Sequence, residues 1–228
     1  MLRKCPFAPD EYYHVYNRGV DRRDVFLCPK DKERFLVLLY VCNSKNPVRI
    51  QKHLDQGRPL VGMFSLERGE TLVDVGAYCL MPNHFHLLLR ERVAGGITEF
   101  MRKVITAYTM FFNKKYARQG VLFQGAFKAH HVDSDDYLRY IFSYIHLNPI
   151  DIIFPGWTEA PDREHKSHIK KHLETFPFSS LWDYARDVVR SESAILNRGS
   201  FPDYFTRRAH LDAHLDDYLV LCGRFSWL

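Results

Sequence analysis

The stretch Ala77-Tyr78-Cys79-Leu80-Met81-Pro82-Asn83-His84-Phe85-His86-Leu87-Leu88-Leu89-Arg90 decides how this chain is read. The apolar run Phe85 to Leu89 is short and continuous, with Pro82-Asn83 before it and charges after it. Those limits predict a buried strand. Side chains alternate faces along a strand, so His84 and His86 point one way and Phe85 points into the opposite layer. Two neighbouring imidazoles on one face serve as a pair of metal ligands, or as buried histidines that hydrogen-bond to a neighbour. The motif taken alone leaves both open.

Outward from this stretch, composition sets the limits. The chain has 228 residues, of which 46% are hydrophobic and 14% aromatic, enough for a packed core and unlike a disordered protein. A net charge of +5 permits a polyanionic partner without requiring one. Cys5, Cys28, Cys42, Cys79 and Cys222 are scattered, odd in number and without a C-x-x-C pair. They read as reduced thiols, which argues against a disulfide framework or a zinc ribbon. No apolar run approaches a membrane span and no signal-peptide core stands at the N-terminus, so the expectation is a soluble cytoplasmic protein with no membrane partner.

The chain is then a succession of alternating patterns. Glu11 to Gly19 reads as a first strand, with Tyr13, Val15 and Asn17 on one face and Tyr12, His14 and Tyr16 on the other. Asp31 to Val41 reads as a helix with Phe35, Leu38 and Leu39 as its apolar stripe. Asn43 to Pro59 is polar and carries two prolines, so it reads as an inserted loop that has room for a short helix. Leu60 to Leu66 and Thr71 to Leu80 read as strands. After Gly95-Gly96, Ile97 to Ala117 is a long amphipathic helix whose apolar side holds Ile97, Phe100, Met101, Val104, Tyr108, Phe111 and Phe112. Residues 121 to 132 read as a turn and a strand. Asp133 to Asn148 is a helix capped by Asp133 or Ser134 and stopped by Pro149, with Asn148 expected to leave the helical region. Strands in runs with interspersed helices predict an antiparallel sheet of the α+β class.

Composition shifts beyond residue 150. A loop is expected over Asp151 to Ala160, a Lys- and His-rich segment over Pro161 to Glu174, and a packed turn leading into a helix at Phe176 to Trp182. One or two further helices are expected over Arg198 to Leu228, with Tyr204, Leu211, Leu215, Tyr218 and Leu219 apolar. The organisation expected is thus 1–150 as one domain and 151–228 as a mainly helical extension packed on it.

The helix ending at Asn148 carries Tyr140, Tyr144 and Asn148 at i, i+4 and i+8, hence along one face. Such a stripe alone is as compatible with core as with chemistry. Together with His84 and His86 it gains meaning, because a metal held by two histidines needs at least one more protein ligand and open positions. Asn148 supplies an oxygen, and Tyr144, one turn away, would sit beside the metal as a nucleophile toward a phosphodiester.

These motifs have a known counterpart. His84-Phe85-His86, with Tyr78 to Asn83 before it and Leu87 to Leu89 after it, resembles the HUH signature of single-tyrosine transposases. Tyr144-Ile145-His146-Leu147-Asn148-Pro149 resembles the second signature of the branch associated with repetitive extragenic palindromes, the REP-associated tyrosine transposases. Tyr13 to Gly19, Gly120 to Lys128 and Phe178 to Tyr184 resemble the opening strand, the glycine-phenylalanine segment and the tail of that branch, in the right order. The segment between Asn43 and Thr71 is longer than the family pattern, and Gly125-Ala126-Phe127 lacks an arginine expected there.

The resemblance implies a ferredoxin-like or RRM-like HUH nuclease fold. It implies cleavage and strand transfer on single-stranded hairpin DNA, through a covalent 5′-phosphotyrosine. The nucleophile is expected to be Tyr144, with Tyr140 as the rival one turn earlier. Mg²⁺ or Mn²⁺ is expected on His84, His86 and Asn148. Arg18, Arg102, Lys103, Lys114, Lys115, Arg118 and Lys128 are the expected DNA-binding cations, and either a monomer or a homodimer is compatible. Tyr16, Tyr116 and Phe123 are either stacking platforms or core. Of His130 and His131 only one can face the site. His165, His168 and His172, and likewise His210 and His214, have ligand-like spacing but read as surface segments.

Overall fold

The computed structural model describes residues 6–46, 50–155, 163–186 and 188–202, with the backbone alone at 51, 54 and 163–166. Of the helices expected over Arg198 to Leu228, the described residues hold only a 3-10 turn at Arg198–Ser200; the remainder from residue 203 lies outside the described residues, as do Cys5, Cys222, His210, His214 and the side chain of His165.

The elements in chain order are β1 (Tyr12–Arg18), α1 (Pro29–Val41), α2 (Ile50–Asp55), β2 (Val73–Leu80), β3 (His84–Glu91), α3 (Gly96–Lys115), β4 (Lys128–Val132), α4 (Asp135–Leu147), α5 (Ile150–Ile153), α6 (Arg163–Thr175) and α7 (Leu181–Ala185). The four strands form one antiparallel sheet in the order β2-β3-β1-β4. That order, with α1 and α3 as the two crossovers, is the ferredoxin-like arrangement of the α+β class. The two central strands carry the features of interest: β1 pairs with β3 so that Arg18 lies opposite His84, Tyr16 opposite His86 and His14 opposite Leu88.

The sheet has two unlike faces. Val15, Phe85, Leu87 and Leu89 share one core with Phe35 and Leu39 of α1 and Phe100, Val104 and Tyr108 of α3. Ala77, Cys79 and Leu88 share another with Leu138, Ile141, Phe142 and Ile145 of α4. The period of two along β3 produces this division, since Phe85, Leu87 and Leu89 must lie on one side and His84, His86 and Leu88 on the other. Burying a side chain such as Phe142, which has no exposed surface, contributes about 1.5–3 kcal/mol in transfer free energy.

Leu60 to Ser65 forms a 3-10 helix rather than the expected strand. Pro59 precedes the run and Gly62 interrupts it. Its apolar residues Met63 and Phe64 serve another purpose: they bury against α1, with the Phe64 ring 5.7 Å from that of Tyr40. This explains why Leu36, Val37, Tyr40 and Val41 of α1 are buried beyond the predicted stripe. The long insertion lays a second apolar cover over the outer side of α1.

Helix α3 starts at Gly95, whose φ of 77° only glycine adopts easily. The buried Glu91 carboxylate accepts the first free amides of the helix, from Gly96 and Ile97. Helix α4 is capped by Ser134, whose Oγ accepts from the Tyr137 amide, with Asp135 and Asp136 in the first turn. At the other end Asn148 keeps helical dihedrals (φ −50°, ψ −36°), and its amide donates to the Tyr144 carbonyl at 3.0 Å. The expected displacement ahead of Pro149 does not occur. The chain passes through Pro149 into α5 where a loop was expected, so Asn148 stays on the tyrosine face of α4.

The described part of the C-terminal region covers the outer edge of β2. Leu80 donates its amide to Phe178 and Ser180 donates to Tyr78, which ties a short segment alongside that strand. Arg190 fastens it, donating to the Tyr78 hydroxyl, the Ser179 carbonyl and the buried Asp183 carboxylate. Phe201 lies directly against Gly76, where a Cβ would meet its ring at 2.5 Å. A free edge strand is thereby closed to further pairing.

Candidate functional site

The site lies where α4 crosses the histidine face of β3. His86 is buried and His84 half-buried, and their rings are 4.9 Å apart. From α4, the Tyr144 ring packs edge-on against His86 at 5.2 Å, and Asn148 Oδ1 lies 3.3 Å from His84 Nε2. The Asn148 amide also hydrogen-bonds the Tyr144 phenol. The structure thus brings together all four residues that the sequence set as nucleophile and ligands. Both helix residues come from the same chain as the histidines. Tyr140 is buried, with its ring stacked on Tyr144 at 6.1 Å, one turn farther from Asn148.

The proton positions follow from the neighbours. Asn83 donates through Nδ2 to the Arg22 carbonyl, which turns its Oδ1 toward His84 Nδ1 at 2.5 Å. His84 must therefore donate from Nδ1 and keep a lone pair on Nε2. That lone pair faces the Asn148 oxygen, so two acceptors converge at 3.3 Å. A cation placed between them is the arrangement that satisfies both. Burial, with a smaller push from Arg18, lowers the His84 pKa to about 4, and it holds His86 well below the ordinary histidine value. Both imidazoles are neutral at physiological pH, as ligation requires. The donors gathered at this point are two imidazoles and an amide oxygen; among the described residues no group of three or more His, Cys, Asp or Glu side chains could hold a metal.

Burial raises the Tyr144 pKa, and the Asn148 hydrogen bond opposes that rise. The phenol is therefore protonated at rest. A protonated phenol is a weak nucleophile unless positive charge stands nearby.

The expected DNA-binding cations fall into two groups. Arg18 and Lys128 are exposed and share the histidine face, since they pair in register with His84 and Tyr16. Arg102, Lys103, Lys114 and Lys115 belong to α3, which packs on the opposite face of the sheet. Lys115 is held at 2.6 Å by the fully buried Asp31, which also accepts from the Tyr116 hydroxyl at 2.7 Å. Lys103 donates to the Ser44 carbonyl and pairs with Glu99. Arg118 donates to Asn113 and to the Val121 carbonyl. The basic side of α3 is thus partly an internal structural network, remote from the site.

Other expectations resolve as follows. Phe123 is core, and Tyr116 serves Asp31. Tyr16 lies at the site, its ring 5.7 Å from His86 and stacked on His130, whose Nε2 is 3.1 Å from the Tyr16 hydroxyl. His131 turns the other way to Glu11. His172 bonds the Pro149 carbonyl and His168 packs on Phe154, so both have structural partners. Cys28, Cys42 and Cys79 are free thiols. One residue went unweighed in the sequence: His14, buried beneath the site, with its Nε2 2.9 Å from His86 Nδ1. The alternation of β1 already set it beside Tyr16, but only the pairing of β1 with β3 puts that face against His86.

Paired histidines on a central strand are thus met by a tyrosine and an amide from one helix. A family model described as "Transposase IS200 like" matches residues 38–148, just under half of the chain. The matched segment contains His84, His86, Tyr144 and Asn148. The chain is also similar to a solved REP-associated tyrosine transposase bound to a REP hairpin, at 15% identity, with 84% of this chain and 90% of that chain covered and a TM-score of 0.48. No curated protein matches the sequence. Among the described residues, no helix is long and apolar enough to cross a membrane.

Proposed function

We propose that this protein is a transposase of the IS200-like kind that cuts and rejoins single-stranded DNA next to a hairpin, through a covalent link to Tyr144. The observation that carries the reading is the meeting of Tyr144 and Asn148 from α4 with His84 and His86 from β3. The palindrome-associated signatures at both ends of that meeting favour hairpin DNA as substrate. Because one chain contributes every member of the set, a single copy is sufficient for the chemistry.

His84, His86 and Asn148 are the residues that would hold a divalent cation, Mg²⁺ or Mn²⁺. Bound there, it would polarise the phosphoryl oxygens and offset the charge that builds during attack. The Tyr144 oxygen attacks phosphorus, and the bond to the 3′ oxygen breaks. The phenol's proton ends on that oxygen, leaving a 3′-hydroxyl and a 5′-phosphotyrosine. Asn148 orients the phenol by donating to its oxygen. Arg18 and Lys128 hold the neighbouring phosphates, and Tyr16 offers a flat ring for an unpaired base. Such a protein would work in the cytoplasm, where its DNA and its reduced thiols are both found.

The test is incubation with labelled hairpin-bearing single-stranded DNA and Mn²⁺. The expected result is a denaturation-resistant protein–DNA adduct. Cleavage without an adduct would point to a water-using nuclease, and binding without cleavage to a hairpin-binding protein. Either result would overturn the reading.

A further inference from the structure

We infer that His14, on the central strand β1, is a positioning residue that determines which nitrogen of His86 meets the cation; this rests on the metal reading of the site.

The two site histidines are supported by unlike neighbours. His84 Nδ1 faces an amide oxygen, that of Asn83, and this acceptor leaves Nε2 free as a lone pair. His86 Nδ1 faces another imidazole, His14 Nε2, at 2.9 Å with the rings 5.1 Å apart. Both rings are buried, so neither nitrogen can exchange its partner for bulk water. Only one proton fits between them. If His14 donates from Nε2, His86 carries its own proton on Nε2 and presents an N–H to the site, which cannot ligate. If His86 donates from Nδ1, its Nε2 is a lone pair and the site is complete. His14 then carries its proton on Nδ1. That atom is buried and has no hydrogen-bond partner, so either arrangement is possible there.

A ligating histidine ordinarily passes its second N–H to a carboxylate, a carbonyl or water. Here a neutral imidazole accepts it. Tyr16 on one side and Tyr144 on another enclose the His14 ring at 5.1 and 5.8 Å, which fixes its plane toward His86. His14 Nε2, held at 2.9 Å from His86 Nδ1, is therefore the acceptor placed to orient His86.

The experiment uses the full chain. Mn²⁺ titration by calorimetry compares the wild type with His14→Phe, which fills the space but accepts nothing, and His14→Gln, whose side-chain oxygen can accept. His14→Phe is expected to weaken Mn²⁺ binding about 10- to 100-fold, and His14→Gln to restore it to within a few-fold of wild type. Nitrogen-15 NMR of the Mg²⁺-loaded wild type is expected to show protons on Nδ1 of both His86 and His14. Equal affinity of His14→Phe and wild type, or a proton on His14 Nε2 in the loaded protein, would overturn the inference. The NMR outcome decides even if His14→Phe fails to fold. His84→Ala and His86→Ala separate the two levels: if both keep full Mn²⁺ affinity, the metal reading fails. If both lose it while His14→Phe does not, only the role of His14 fails.

Discussion

Helices α3 and α4 lie on opposite faces of the same sheet, and the sequence marks each for function, α3 by a basic side that could follow DNA and α4 by a stripe of Tyr140, Tyr144 and Asn148. They differ in what the polar side meets. On α3, Lys115 is matched by the buried Asp31 and Lys103 by the Ser44 carbonyl and Glu99, so these cations hold the protein together. On α4, Asn148 sets its oxygen 3.3 Å from His84 Nε2 and Tyr144 its ring 5.2 Å from that of His86. A row of charges that finds its partners inside the fold is structure. A row of acceptors that converge on one point is a site. Helix periodicity cannot tell these apart, because it records the side of a helix and not what lies across from it.

The comparison breaks most sharply at the nucleophile. Tyr144→Phe should lower adduct formation by more than about a thousandfold, as loss of a covalent nucleophile does. Tyr140→Phe should stay within a few-fold, since it stands two turns from Asn148 and Tyr144 only one. Counting adducts on a denaturing gel checks both, and the reverse pattern would exchange the two roles.

Acid should undo the two faces at different pH. His84 and His14 have pKa values lowered by burial to about 4 and about 3, whereas an unfolded chain protonates histidine near pH 6.5. The unfolded state therefore binds more protons below 6.5, and stability is lost as pH falls from there. Each histidine that stays neutral when folded costs about 2 kcal/mol at pH 5, and each kcal/mol lowers Tm by about 2–4 °C. For Asp31, burial pushes the carboxyl up, but Lys115, Tyr116 and the Leu27 amide together hold it below its ordinary value. Its contribution is present above about pH 3.9 and is lost only on further acidification. A Tm curve flat from pH 7 to 4.5 would contradict this division.

Lys115→Met should cost about 1–2 kcal/mol in urea unfolding, because Asp31 keeps Tyr116 and two backbone amides but loses its counter-charge. It should leave DNA affinity unchanged. The smallest effect concerns the opposite face. Arg18→Ala and Lys128→Ala should each reduce the salt slope of DNA binding by about one, while Lys103→Ala should not. Equal slopes for all three would restore the basic side of α3 as a DNA surface.

Much of this fold follows from local pattern. Alternation marked β1, a short continuous apolar run marked β3, apolar stripes marked α1 and α3, and a capping residue with a proline after it marked α4, each to within a few residues. The misassigned segment, Leu60 to Ser65, has a strand's composition but pairs with no strand. It is a cover for α1, and such a demand for cover arises only in three dimensions. Asn148 kept its helical dihedrals ahead of proline because α5 continues the turn beyond it, a tertiary choice that overrides a local preference.

The sequence by itself determined that His84 and His86 share a face, because the strand period is two, and that Tyr144 and Asn148 share another, because the helix period is 3.6. Those are properties of single elements and need no fold. Tertiary structure alone decided that the two faces meet, that the cations of α3 lie behind the sheet, and that His14 stands under His86. Each is a relation between elements far apart in the chain, fixed by strand register and by which helix covers which side.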